Sequence, residues 1–376
     1  MIVPLTKPFL DRNEEEAVVK VLRSGWHTQG PQVEILEKEF CAYTKVKHAV
    51  AVSSCTTGLY LSLLIAGIGK HDEVLVPSFT FIATVNVIVQ AGAVPVFVEV
   101  DRNSFNIDPN QLEKKITKKT KSIIVVDQVG NPCDLDRVKK IARKHGLFII
   151  QDAACSLGSL YKNKRIGGLA DVTCFSFHPR KVISSGEGGM ITTNIKSIAQ
   201  QAKILRTHGA SISDYKRHNT IKITAESYSV AGFNYRLTDI QAAIVIAQMK
   251  KLPSIIKKRT YLANRYTNFL ASIRSIRTPY TPSYAIPNWQ SYIITLLPGA
   301  SLLQEELMQK LLDRGIVTRR GVMACHLEPY YKNSIRNCSL PITEMLTKNT
   351  VTLPLFPELT VKQQDYVIGS LKLLLK

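Results

Sequence analysis

Between residues 49 and 192, short apolar runs rich in β-branched residues recur at 49–53, 74–76, 94–98, 122–126, 148–150, 173–177 and 190–192. Runs of this length and composition read as strands. Between the earlier ones, stretches 59–66, 82–90 and 135–145 place their apolar residues at helical spacing. Strand–helix–strand order on this scale predicts an α/β fold, with a mostly parallel seven-stranded sheet covered by helices on both faces.

The flanks read differently. Residues 14–24 and 32–43 look like amphipathic helices joined by the Gly-bearing turn SGWHTQGP at 24–31. Residues 238–251 form a strong helical pattern with Thr238 as its cap, Pro253 marks a break, and a second helix follows over 254–270. Beyond it come short strands, prolines and two helices. A chain of 376 residues exceeds the size of one core. The expected division is therefore a large domain over 1–250, including the N-terminal helical segment, and a smaller α+β domain over 251–376.

Composition narrows the class. With 45% apolar and 21% charged residues, the chain is an ordinary globular protein. It has no apolar run long enough to span a membrane, and residues 1–10 lack the features of a signal peptide, so a cytoplasmic location is expected. The seven cysteines form no C-x-x-C pair and suggest reduced thiols, with no metal site. The net charge of +20 is the unusual quantity. Its lysines are spread along the chain, as at Lys114, Lys115, Lys118, Lys119 and Lys121, and no nucleic-acid-binding motif accompanies them. Such a charge could mean a nucleic acid, an anionic membrane surface or small anionic ligands. Without a binding motif no nucleic-acid partner is expected, and a lysine-rich background composition explains the charge equally well.

The chemistry lies at the strand ends, where open parallel sheets bind ligands. After the first strand, Ser53-Ser54-Cys55-Thr56-Thr57-Gly58 opens a helix with small hydroxyl residues, a setting suited to phosphate or to a plain helix cap. Phe81 follows the second strand. Asp152 closes the fifth, where a carboxylate needs a cationic or hydrogen-bonding partner. After the sixth, Ser176 and His178 lead to Lys181 and a glycine-rich turn. Pyridoxal phosphate needs a phosphate cup, a stacking ring, an anion at its pyridine nitrogen and a lysine for its aldehyde, and it is the one ligand that reconciles this set.

The segments SGWHTQGP (24–31), VSSCTTGLYLSL (52–63), VPSFTFIATVNVI (76–88), IIQDAACSLGS (149–159), FSFHPRKVISSGEGGM (175–190) and GFNYRLTDIQAA (232–243) resemble the aspartate-aminotransferase-like, fold type I sugar aminotransferases of the DegT/DnrJ/EryC1/StrS group. The resemblance runs over nearly the whole chain. It implies that Lys181 holds the cofactor as a Schiff base, Asp152 faces the pyridine nitrogen and Phe81 stacks on the ring. Thr56, Thr57 and Ser176 would surround the phosphate. Asn234 would reach the phosphate of the neighbouring subunit's cofactor, making the active unit a homodimer. Cys55 stands where glycine is commonest, Gly58 where alanine is usual, and Cys155 beside the cofactor in place of glutamine or histidine.

The same resemblance suggests L-glutamate as amino donor and a nucleotide-diphosphate-linked keto-sugar as acceptor. The SGW-x-T-x-GP segment is more similar to the branch that aminates C4, such as the perosamine synthases, than to the one that aminates C3, which favours a 4-keto-6-deoxyhexose as acceptor. O-antigen, capsule, protein glycan and antibiotic pathways all stay open. Candidate acceptor contacts are Trp26, His27, Arg319, Arg320 and His326, each of which could equally be packing or surface; His178 could touch substrate or serve structure. Desolvation and nearby cations are expected to lower the Lys181 pKa and free its amine for proton transfer. A sugar dehydratase of the same fold is a rival reading, but its relatives carry histidine in place of the lysine. A non-catalytic regulatory relative is another, and the presence of both Lys181 and Asp152 argues against it.

Overall fold

The computed structural model describes residues 1–212, 214–218, 225–334 and 338–375, with the side chains of 214 and 216 excepted. Its main sheet has seven strands: β1 (His48–Val52), β2 (Glu73–Pro77), β3 (Val94–Val98), β4 (Thr120–Val126), β5 (Phe148–Asp152), β6 (Val172–Ser176) and β7 (Gly189–Thr193). Their spatial order is β1-β7-β6-β5-β4-β2-β3, all parallel except β7, which runs against both its neighbours.

Successive residues of one strand enter different cores, because strand side chains alternate between faces. Ala51, Leu75, Ile123 and Ile149 pack on one face with α2 (Pro31–Thr44), α5 (Leu135–His145) and the start of α7 (Asp239–Leu270), while Val50, Val76, Ile124 and Ile150 pack on the other with α3 (Cys55–Ile65), α4 (Ile82–Gln90) and α6 (Lys196–Leu205). Burial on both faces is why the strands read as unbroken apolar runs. A first helix, α1 (Arg12–Ser24), lies against α7.

The break expected at Pro253 is absent. Helix α7 runs through it for 32 residues, and residue 250 falls within it. Proline inside a helix costs about 3 kcal/mol. Here Leu252 and Ile255 are buried in the sheet core, and Leu262, Ala263, Tyr266 and Leu270 in a separate C-terminal core, so packing on both sides outweighs that cost. The C-terminal core covers a four-stranded antiparallel sheet in the order Ile276–Arg277, Tyr292–Leu296, Thr350–Leu353, Arg319–Arg320. Four helices follow α7 among the described residues, Gln304–Asp313, Pro329–Ser334, Pro341–Asn349 and Val361–Leu374, where two were expected. Near the middle of α7, Arg259 is fully buried; its Nη1 donates to the carbonyls of Trp289 (3.1 Å), Gln290 (3.2 Å) and Leu355 (3.2 Å). No helix among the described residues is long and apolar enough to cross a membrane.

The SGWHTQGP turn is a clamp. Asp239, the first residue of α7, accepts the N–H groups of Gly30 (2.7 Å), Gln32 (3.0 Å) and Val33 (3.1 Å), so one carboxylate satisfies the open end of α2. A Cβ on Gly30 would lie 2.0 Å from Trp26 Nε1, which is why glycine stands there. Asp239→Ala is expected to cost about 2–4 kcal/mol, the scale of a lost cap and charged hydrogen bonds. Urea unfolding followed by circular dichroism checks it.

Candidate active site

The ends of β1, β4, β5 and β6 and the start of α4 open onto one cavity of about 570 Å³, closed on the far side by Gln290, Ser291, Arg319 and Leu355 from the C-terminal sheet and its loops. Thr56, Phe81, Asp152, Cys155, Ser176, His178, Lys181 and Arg319 all line it. Five separate segments thus deliver the expected side chains to one place.

Asp152 ends β5 and is only 5% exposed. Its Oδ2 accepts the Thr84 hydroxyl at 2.7 Å, and its Oδ1 accepts the Ala154 N–H at 3.1 Å and, weakly, the Cys55 thiol at 3.8 Å. Burial pushes its pKa above the usual carboxylate value, while these hydrogen bonds and the Lys181 charge oppose the rise. Cys55 therefore occupies the place of the usual glycine by adding a thiol to this carboxylate.

Lys181 sits in the turn after β6, fixed by its own N–H on the His178 carbonyl at 2.8 Å. Its Nζ donates to Cys155 Sγ at 3.4 Å. The expected depression of its pKa is not what this environment gives. Burial pulls the ammonium down, but Cys155, Asp152 and Cys55 outweigh it and the net direction is upward. The largest influences on it are burial and these three groups, not the cations expected to push it down.

The start of α3 forms the other wall. Ser54 caps the helix, accepting the Thr57 N–H at 3.1 Å, and the Thr57 hydroxyl turns back onto the Ser54 carbonyl at 2.8 Å. Thr57 thus shapes the turn without lining the cavity, whereas Thr56 faces it. A Cβ on Gly189 would lie 2.5 Å from the Ser54 carbonyl carbon, so only glycine lets this helix end approach β7. A Cβ on Gly58 would meet Ile191, Val52 and Cys174 at 3.3–3.5 Å; these neighbours fill the space of the usual alanine methyl.

Several expected contacts lie elsewhere. Trp26 donates its indole N–H to the Gln29 carbonyl at 3.2 Å and sits edge-on to Tyr215 and His218. His27 Nε2 lies 3.2 Å from the Leu22 carbonyl. His326 is buried between Ser78 Oγ (2.6 Å) and Glu344 (3.4 Å), because the segment after the cavity-lining residues Gly321, Val322 and Met323 is tied to Ser78 and Phe79 just beyond β2. Arg320 is exposed and pairs with Glu328 at 3.5 Å. Asn234 is exposed and bridges to Thr207, outside its own chain's cavity. The residues that sequence reasoning passed over are Thr84, Gln290 and Arg180, all on the cavity wall. Arg180 was within reach of it as the neighbour of Lys181. Burial, then the like charges of Arg180 and Arg320, pull the Arg319 pKa down. His178 is pulled down too, chiefly by burial.

A deep carboxylate, an amine, an aromatic ring 58% exposed at the rim and an open helix end fit pyridoxal phosphate in its four requirements. Comparison with known proteins agrees. Among solved structures, the chain is similar to the sugar aminotransferase candidate Spr1654 from Streptococcus pneumoniae in its PMP form, with 30% identity over 99% of this chain and 98% of that one and a TM-score of 0.93. The PLP form of that protein matches equally well, at 30% identity and a TM-score of 0.92 over 100% and 98% of the two chains. Helicobacter pylori PseC, an aminotransferase involved in the biosynthesis of pseudoaminic acid, shares 27% identity over 100% and 99% of the two chains with a TM-score of 0.93. The model of the DegT/DnrJ/EryC1/StrS aminotransferase family matches residues 8–372, and with nearly the whole sequence so covered the chain belongs to that family of pyridoxal-phosphate-dependent sugar aminotransferases.

Proposed function

We propose that this enzyme moves an amino group from L-glutamate to a nucleotide-diphosphate-linked keto-sugar, at C4 of a 4-keto-6-deoxyhexose, in the making of a polysaccharide such as O-antigen. It would act in the cytoplasm as a homodimer, Asn234 serving the partner's cofactor phosphate. The observation that carries the reading is the meeting of Lys181 and Asp152 in one cavity whose wall also bears Arg180 and Arg319. Two guanidiniums on a cavity wall suit the phosphates of such an acceptor and the carboxylates of the donor.

Pyridoxal phosphate, when bound, supplies an electron sink for the carbanion formed at an amino-acid Cα. The chain's residues do the rest. Asp152 as an anion holds the proton on the pyridine nitrogen. Thr56, Ser176 and the open helix end of α3 take the phosphate, and Phe81 covers the ring. Lys181 Nζ would anchor the cofactor covalently, and when freed by the donor the same amine would serve as the base and acid that moves the substrate's Cα proton in both directions of the transfer. Cys155 lies beside that amine and gives it a resting partner.

Purified protein is expected to absorb near ~410–430 nm and to shift towards ~330 nm on adding L-glutamate. A band that glutamate leaves unchanged would rule out this donor. Uptake of no pyridoxal phosphate would remove the reading altogether.

A further inference from the structure

Asp152 carries a charge in a place that penalises charge, and what holds it there is a short chain of hydroxyls. Thr84, in the first turn of α4, is 1% exposed and donates to Asp152 Oδ2 at 2.7 Å. A threonine hydroxyl has one hydrogen. With that hydrogen on Asp152, the 3.2 Å contact between Thr84 Oγ1 and Thr80 Oγ1 has Thr80 as donor. The order is Thr80 to Thr84 to Asp152, each hydroxyl polarised by the next in a charge-assisted chain. Thr80 is itself 1% exposed and is held from the C-terminal part of the molecule. Its carbonyl accepts the Cys325 thiol at 3.3 Å, Phe79 bridges to Ala324, and the Cys325 N–H donates to the Ser78 carbonyl at 2.9 Å.

The titratable groups that face Asp152 are Cys55 from α3, Cys174 from β6, Asp127 beyond β4 and Lys181 beyond β6. Of these, Lys181 alone is a cation. Lys181 would be taken up in anchoring the cofactor; the neutral groups of the protein that support the carboxylate are this hydroxyl chain, the Ala154 N–H and the weak Cys55 thiol.

We propose that Thr84, backed by Thr80, is a positioning residue that keeps Asp152 ionised and turned towards the cofactor's pyridine nitrogen. The proposal rests on Asp152 being the partner of that nitrogen. Burial raises the Asp152 pKa and the Thr84 hydrogen bond opposes the rise, so its loss moves the carboxylate's protonation to higher pH.

Thr84→Val keeps the shape and removes the hydroxyl, whereas Thr84→Ser keeps the hydroxyl and removes a methyl. The measurement is the dissociation constant of pyridoxal phosphate from the full-length protein, titrated by absorbance from acid to neutral pH. A hydrogen bond to a charged group supports an effect of about tenfold or more. Thr84→Val should therefore bind the cofactor about tenfold more weakly, with the acid loss of binding beginning at higher pH than in wild type. Thr84→Ser should stay within about twofold of wild type. A packing role gives the opposite ranking, and a Thr84→Val profile matching wild type overturns the proposal. Asp152→Asn separates the two layers of the argument. If it leaves binding unchanged, the role of Asp152 itself fails; if it weakens binding while Thr84→Val does not, only the hydroxyl chain fails. Should Thr84→Val not fold, Thr80→Val decides: a shift in the same direction supports the chain, and an unaltered profile overturns it.

Discussion

Replacing Lys181 with alanine is expected to remove the cofactor's covalent band and to lower kcat by roughly 10⁴-fold or more, the combined scale of a lost covalent anchor and a lost general base. Among the described residues no other lysine lines the cavity, so none of them offers an amine ready to substitute. The neighbouring Arg180 cannot act in its place, because a guanidinium does not give up its proton at working pH. Cofactor should still bind through the α3 helix end and Asp152, but reversibly. A spectrum of the variant dialysed against buffer, set beside its rate of amino transfer, checks both parts. Retention of the covalent band after dialysis would mean that another residue holds the cofactor.

Asp152→Asn is expected to fold and to lower kcat/KM by on the order of 10²–10³-fold, similar to other losses of a preorganised electrostatic partner. Asparagine is nearly isosteric and keeps one acceptor oxygen, so one of the two donors, Thr84 or the Ala154 N–H, keeps its bond while the other faces the amide nitrogen. What disappears is the negative charge, and with it the hold on the ring proton. Steady-state kinetics with a saturating donor, together with a circular dichroism spectrum to confirm folding, provide the test. Activity above a tenth of wild type would show that the carboxylate is not what polarises the cofactor.

The strands were legible because each is buried on both faces and therefore carries an unbroken apolar run. Their ends were legible as chemistry because a parallel sheet gathers its ligand-binding residues there, and Asp152 and Lys181 both close on such an end. Thr84 was not. It stands in the first turn of an apolar helix, and its bond to a carboxylate 68 positions away exists only once the sheet is assembled. His326 and Trp26 misled for a related reason. Both have side chains able to contact a sugar, and nothing local shows that Ser78 and Glu344 enclose the one, or that Gly30 was kept free of a Cβ for the other. Pro253 misled because local backbone cost was weighed without the two cores that helix α7 joins.

That helix has a mechanical meaning. At 1.5 Å per residue it is a rod about 48 Å long. One end is keyed to α2 through Asp239, and its middle is keyed to the Trp289–Gln290 loop and Leu355 through the sunken guanidinium of Arg259. The cavity's back wall is therefore carried on the same beam that braces its floor, and no joint lies at residue 250 about which the two could swing. A cleft mounted on one continuous helix is expected to behave as a fixed-bore gauge rather than as jaws. Selection among acceptors is then expected to rest on the shape of that wall and on the loops at the rim.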